Sequence, residues 1–167
     1  LPLLIHSNSI SIFSGIGSFG LFKTGGDINM GIGEIPARFG TVYTSSKNDF
    51  TFPDNTGRRQ TNSNSEMNKL SFMLKTGWLR QKSIDFSTTL LCGEKSVNSL
   101  GTITLYDPNT MTDRWITLLN QAAFTISKKM SFFSDLSVSF LSRRYQDLFT
   151  DDTHKNYSIS GGSEIKT

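Results

Sequence analysis

Residues 67–94 read MNKLSFMLKTGWLRQKSIDFSTTLLCGE, and their reading decides the fold. Leu70, Phe72, Leu74, Thr76 and Trp78 alternate with Ser71, Met73, Lys75 and Gly77. This is the period-2 signature of a strand with one apolar and one polar face. After the polar turn Arg80-Gln81-Lys82-Ser83 the alternation resumes as Ile84, Phe86, Thr88, Leu90 and Cys92 against Asp85, Ser87, Thr89 and Gly93. The pattern is a long β-hairpin. Each arm has about the 9 to 11 residues that a tilted strand needs to cross a bilayer, roughly twice the modal strand of a soluble sheet. The bilayer is therefore a candidate solvent for the apolar face.

Working outward, the same alternation recurs. Ile10, Ile12, Ser14 and Ile16 form one face of a first strand, and Gly17-Ser18-Phe19-Gly20 reverses the chain. Phe22, Thr24, Gly26, Ile28 and Met30 form a face of a second strand, and Phe39, Thr41 and Tyr43 of a third. Downstream of the hairpin, Ile116 to Ile126, Leu136 to Phe140 and Tyr157 to Ile165 alternate likewise. About eight antiparallel strands are predicted, without a helix. Their connections alternate between short turns, near 31–36, 80–83 and 127–130, and long polar loops, near 49–65, 95–112 and 145–154. Sorting by end is what an outer-membrane barrel shows, with short periplasmic turns and long extracellular loops. The predicted class is all-β, an antiparallel transmembrane β-barrel segment. Charges such as Lys75, Asp85, Asp135 and Glu164 fall on the polar phase, and Asn120 is the weakest position of the apolar one. Trp78, Phe132 and Phe133 stand beside short turns, where an interfacial girdle would lie.

Composition agrees with this class. Of 167 residues 36% are apolar, and no run approaches the roughly 18 to 20 residues of a membrane helix. A membrane barrel keeps a low mean hydropathy because its apolar residues come every second position. The net charge of +3 is modest and not gathered in a block, which argues against nucleic acid as a partner. The single cysteine, Cys92, excludes an internal disulfide and reads as a small hydrophobe. The chain begins at Leu1 without an initiator methionine and stops at Thr167 in a strand-like pattern, so it is read as an excerpt of a longer protein.

Several motifs were weighed for chemistry. Gly15 to Gly20 matches the spacing of a dinucleotide fingerprint, but that site needs a helix opening at its third glycine, and strand alternation follows instead. His6 and His154 are far apart and lack companions for a transition-metal site. Arg58-Arg59 and Arg143-Arg144 could hold an anion or simply be solvated. Asp147 with Asp151-Asp152, or Asp49 with Asp54, could offer oxygens to calcium, without a fixed calcium-loop spacing. No nucleophile elbow, metalloprotease signature or paired carboxylates emerge, so an enzyme is not expected and no cofactor is assigned.

Gly17-Ser18-Phe19-Gly20, the run Ser46-Lys47-Asn48-Asp49-Phe50-Thr51-Phe52 with Asp54-Asn55-Thr56-Gly57, and Leu100-Gly101-Thr102 resemble TonB-dependent outer-membrane receptors. The resemblance spans nearly the whole chain, about the first eight strands of the family's barrel, and lies closest to the vitamin B12 and siderophore branch. It implies a barrel of about 22 strands filled by an amino-terminal plug. Such a receptor captures a scarce nutrient outside and is opened by an inner-membrane energy-coupling complex. It implies partners too: outer-membrane lipid, a small nutrient ligand, the plug domain of the full-length chain and the TonB complex. Ligand capture is expected from the long loops, with Asp49, Asp54, Arg58, Arg59 and Tyr106 as candidate contacts. The vitamin B12 receptor's calcium aspartates lie in the matching loops. Two other classes give the same alternation: a complete eight-stranded barrel with a structural or adhesion role, and a soluble β-sandwich or lipocalin-like binding module.

Overall fold

A computed structural model describes residues 8–32, 35–47, 50–53, 56–62, 66–81, 84–100, 108–127, 130–147 and 149–166. The strands are β1 (Ser9–Ile16), β2 (Phe22–Ile32), β3 (Ile35–Ser46), β4 (Phe50–Pro53), β5 (Arg59–Asn62), β6 (Met67–Gln81), β7 (Ile84–Leu100), β8 (Pro108–Ser127), β9 (Met130–Gln146) and β10 (Asp151–Lys166). Eight of them form one antiparallel sheet in the order β1-β2-β3-β6-β7-β8-β9-β10. β4 and β5 pair only with each other, as a small hairpin between β3 and β6. The large sheet is open, with β1 and β10 at its edges.

Directly paired residues share a face, so the register assembles the apolar positions into rows. One row crosses every strand of the sheet: Ile10, Ile28, Phe39, Leu74, Leu90, Leu118, Val138 and Ile159. The next holds Ile12, Gly26, Thr41, Phe72, Cys92, Ile116, Phe140 and Tyr157. Nothing among the described residues covers these rows. Leu74 is 41% exposed, Leu136 48% and Ile116 51%, and Ala37 is the one buried hydrophobic residue described. A soluble sandwich would place a second sheet about 10 Å away over this face, and none is present among the described residues.

Asn120 lies within the apolar rows, opposite Thr88 and Leu136. The Thr88 hydroxyl donates to its side-chain oxygen at 2.7 Å. The polar residue that the alternation flagged as out of place is thus partnered on its own face, which lowers the cost of keeping an amide among apolar neighbours.

Several boundaries move from the sequence reading. Strands β7, β8, β9 and β10 run 17, 20, 17 and 16 residues, well past the apolar stretches that revealed them. Of the expected loop at 95–112, residues up to Leu100 belong to β7 and those from Pro108 to β8, and of the one at 145–154, residues up to Gln146 belong to β9 and those from Asp151 to β10. The expected polar loop at 49–65 contains the β4–β5 hairpin. A register shift between Gly77 and Leu79 brings Leu79, rather than Trp78, opposite Phe86. Phe132 shares the apolar face with Phe124, their rings 6.0 Å apart, whereas Phe133 pairs with Ala123 on the other face. Of the two expected girdle phenylalanines, only Phe132 stands on the apolar side.

The opposite face carries two matched stacks. Phe13 lies across Gly25 and Trp115 across Gly93, each in direct register. A Cβ at Gly25 would run into Phe13 and the Thr41 carbonyl, and one at Gly93 into Trp115 and the Leu70 carbonyl. Glycine is needed here for close approach, letting each ring lie flat on the backbone. Gly93→Val is therefore expected to cost about 1 to 3 kcal/mol in a denaturant titration of the intact protein, while Gly15→Ala, with open space at its Cβ, leaves the midpoint unchanged. Equal midpoints for the two variants would refute the stack.

Candidate functional site: the polar face and its loop end

The residues that alternate with the apolar rows point to the other face, where register again decides their neighbours. At the end of the sheet that carries the longer connections, one row reads Gly15, Lys23, Thr44, Lys69, Lys95, Asp113, Arg143 and His154. Lys69 and Lys95 face each other directly across β6 and β7. Like charges in this position repel. Asp113, next along, is buried and engaged by Arg143, whose Nε and Nη2 donate to its two oxygens at 2.7 and 3.0 Å. This bidentate geometry is the strongest common pairing of a carboxylate.

The ammonium groups are held over the ring stacks. Lys23 Nζ lies 5.7 Å from the centre of the Phe13 ring and Lys69 Nζ 5.4 Å from that of Trp115, within cation–π range. Each stack thus reads glycine, aromatic ring, lysine from the backbone outward. Nearer the short-turn end, Arg38 faces Lys75 in register, and Arg38 is partnered by Asp27 at 3.3 Å. Asp27 also accepts hydrogen bonds from Ser11 at 2.7 Å and Asn29 at 3.1 Å.

Arg58 and Arg59 sit at the β4–β5 hairpin, Arg58 just before β5 and Arg59 opposite Pro53. Asp49, Asp54 and Tyr106, like His6, lie outside the described residues. The two sequence-adjacent arginines separate: Arg143 faces the polar side with Asp113, and Arg144 the opposite side, where its Nε donates to Asp151 at 2.7 Å. Both already hold carboxylates. The proposed calcium cluster does not converge either, because Asp151 and Asp152 alternate in direction and Asp147 is committed to its turn. Among the described residues no three metal-ligating side chains come together.

What the sequence reading missed is the lysine row. Its members lie on the polar phase of three separate strands; the alternation places Lys23 on that face, whereas Lys95 falls within the stretch 95–112 that reads as a loop. Their gathering depends on a register that crosses a long loop.

The turn between β9 and β10 is set by Asp147. Its carboxylate accepts the amides of Phe149 at 2.7 Å and Thr150 at 2.6 Å, while its own N–H donates to the Thr150 carbonyl at 3.0 Å. This is an Asx turn closed on itself. The amide of Phe149, then that of Thr150, hold the Asp147 carboxyl below its ordinary value of 3.8. A depressed folded-state value means that the turn's stabilisation is complete above the ordinary pKa and is lost as pH falls through the lower folded one. Hydrogen exchange at Phe149 and Thr150 is therefore expected to accelerate once pH drops below that value, and Asp147→Ala to abolish the dependence. Exchange that is insensitive to the substitution would remove Asp147 from this role. Neither a family model nor a curated protein matches the chain.

Proposed function

We propose that the chain forms part of the wall of a β-barrel receptor in a bacterial outer membrane, one that takes up a scarce nutrient such as a ferric siderophore or cobalamin by energy-coupled transport. The observation that carries the membrane half of this reading is the apolar face: among the described residues no charged residue occurs on it from the row of Ile12, Phe72, Cys92, Ile116, Phe140 and Tyr157 down to Phe124, Phe132 and Ile165, and Glu94, Arg114, Arg144 and Lys155 share the face only beyond that row, toward the loop end. Water would leave that face with a large uncovered apolar area, whereas lipid is its natural solvent.

The belt is also oblique. The register row of Ile16 and Phe22 arrives on β10 at Thr153, yet the apolar stretch there begins four residues later, at Tyr157. At about 3.3 Å per residue and about 4.8 Å per strand, that drop corresponds to strands inclined by roughly 20° to the belt's normal. Inclination is what a barrel requires, although typical values are about 35 to 45°. Aromatic residues mark the rims, with Tyr43, Phe140 and Tyr157 above and Phe86, Phe124 and Phe132 below. The connections support the same orientation. At one end β2 and β3, β6 and β7, and β8 and β9 follow each other at an interval of two residues, whereas at the other β3 and β6, β7 and β8, and β9 and β10 are separated by longer intervals, one of which holds the β4–β5 hairpin.

The receptor half rests on the loop-motif resemblance. In that reading the outward face meets lipid, the polar face meets the plug domain and the lumen, and the TonB complex acts through the plug. The open sheet favours a segment of a wide barrel over a complete eight-stranded one, since β1 and β10 are not paired with each other and lipid does not tolerate unsatisfied strand edges.

Neighbouring residues on opposite faces give the test. Leu136→Arg, in the middle of the belt, is expected to destabilise the intact protein in lipid by about 2 to 4 kcal/mol, and Ser137→Arg, on the polar face, to change it little. Denaturant titration in bilayers and the yield in the outer-membrane fraction read both. Equal tolerance of the two arginines would discard the membrane assignment.

A further inference from the structure

We infer that the loop-end half of the polar face binds a small polyanionic solute, one bearing two or more carboxylate or phosphate groups, on Lys23, Lys69 and Lys95. The inference rests on the barrel reading, in which the loop-end half of this face borders the lumen on the outer side. Its starting point is a cost. Lys69 and Lys95 oppose each other in register, and Lys23 stands on the same row two strands away, separated by Thr44. The nearest carboxylate of the row, Asp113, is taken on both oxygens by Arg143. Among the described residues none of the three lysines has a salt-bridge partner. Four cations thus stand on a row with one carboxylate, which lies opposite Lys95 but is held by Arg143. An incoming anion relieves that repulsion, so the charge it brings is worth more here than at a neutral surface.

The lysines are also positioned. Phe13 and Trp115, flattened over Gly25 and Gly93, hold the ammonium groups of Lys23 and Lys69 above their rings. Neighbouring strands are roughly 5 Å apart, so the base of Lys69 lies roughly 5 Å from that of Lys95 and roughly 10 Å from that of Lys23, a row of roughly 15 Å in all. A solute with several anionic groups can bridge that span, whereas a single halide cannot. Aromatic edges beside the ammonium groups add apolar contact for an organic solute. The face's other basic pair, Arg38 and Lys75, already has Asp27 beside it, which directs the solute toward the loop end.

The test uses the intact protein in lipid nanodiscs and pyranine, a trisulfonated pyrene, as the probe, followed by fluorescence anisotropy at low and raised salt. Wild-type protein is expected to bind pyranine, with an affinity that falls as salt rises. K69Q/K95Q should weaken binding about tenfold or more and K23Q about threefold. K155Q, an equal charge change on the opposite face, should leave it unaltered. Citrate should displace the probe. Retention in the bilayer on alkaline extraction is scored in parallel. If the variants stay membrane-bound and K69Q/K95Q binds pyranine as tightly as wild type, the inference falls and the barrel stands. Absence of binding by membrane-bound wild type also overturns it, and leaves an acidic protein segment as the lysines' partner. If wild type is itself extracted from the bilayer, the barrel reading fails and takes the inference with it.

Discussion

The structure depends on one unbroken antiparallel register. Each interior strand of the large sheet is paired on both sides, so its backbone groups are satisfied within the sheet, as any lipid-spanning segment demands. Packing contributes unusually little within the chain itself: Ala37 is the one buried hydrophobic among the described residues. Register therefore does two jobs at once. It satisfies the backbone, and it sorts side chains so that a shift of one residue on any strand would send apolar residues into the polar face and charges into the belt.

This sorting explains what could be read from the sequence. The eight strands, their antiparallel order and the face of most residues follow from period-2 alternation alone, because one face collects apolar side chains and the other polar ones. The signal fades where neither face is apolar. Lys95 to Leu100, Pro108 to Thr112, Tyr145 to Gln146 and Asp151 to His154 are strands in the structure yet show no clean alternation, and in the sequence they read as loops. The β4–β5 hairpin was hidden for another reason: four-residue arms are too short for periodicity to separate from chance, and only the Pro53 to Gly57 turn signature pointed to a reversal.

Side-chain neighbourhoods were less legible than faces. Asn120 looked like a defect when only its own strand was considered, and its answer, the Thr88 hydroxyl, lies on the preceding strand 32 positions away. Trp78 looked like the continuation of an apolar face until the register shift put Leu79 in its place opposite Phe86. Bulges of this kind insert one residue and invert everything beyond them, and their position depends on the partner strand. Lys23, Lys69 and Lys95 are spread over more than seventy residues of sequence and share one row of the sheet. A net charge that looked diffuse along the chain is thus concentrated in space.

The two faces treat charge differently, and the difference follows from their surroundings. On the apolar face, charges appear only beyond the apolar rows, and there they are largely paired: Arg114 Nε donates to Glu94 at 2.6 Å, and Arg144 is forked onto Asp151. At the rim of an apolar layer an unpaired charge loses hydration without compensation, so opposite charges are kept together even though exposed pairs add little stability of their own. The polar face keeps Lys69 and Lys95 side by side instead. Water can hydrate such a pair, so the polar face tolerates like charges that an apolar face would not. Paired charges at the margin of the apolar face and surplus positive charge on the polar face are thus two outcomes of one requirement, that a charge beside apolar side chains be compensated and one among polar side chains need not be.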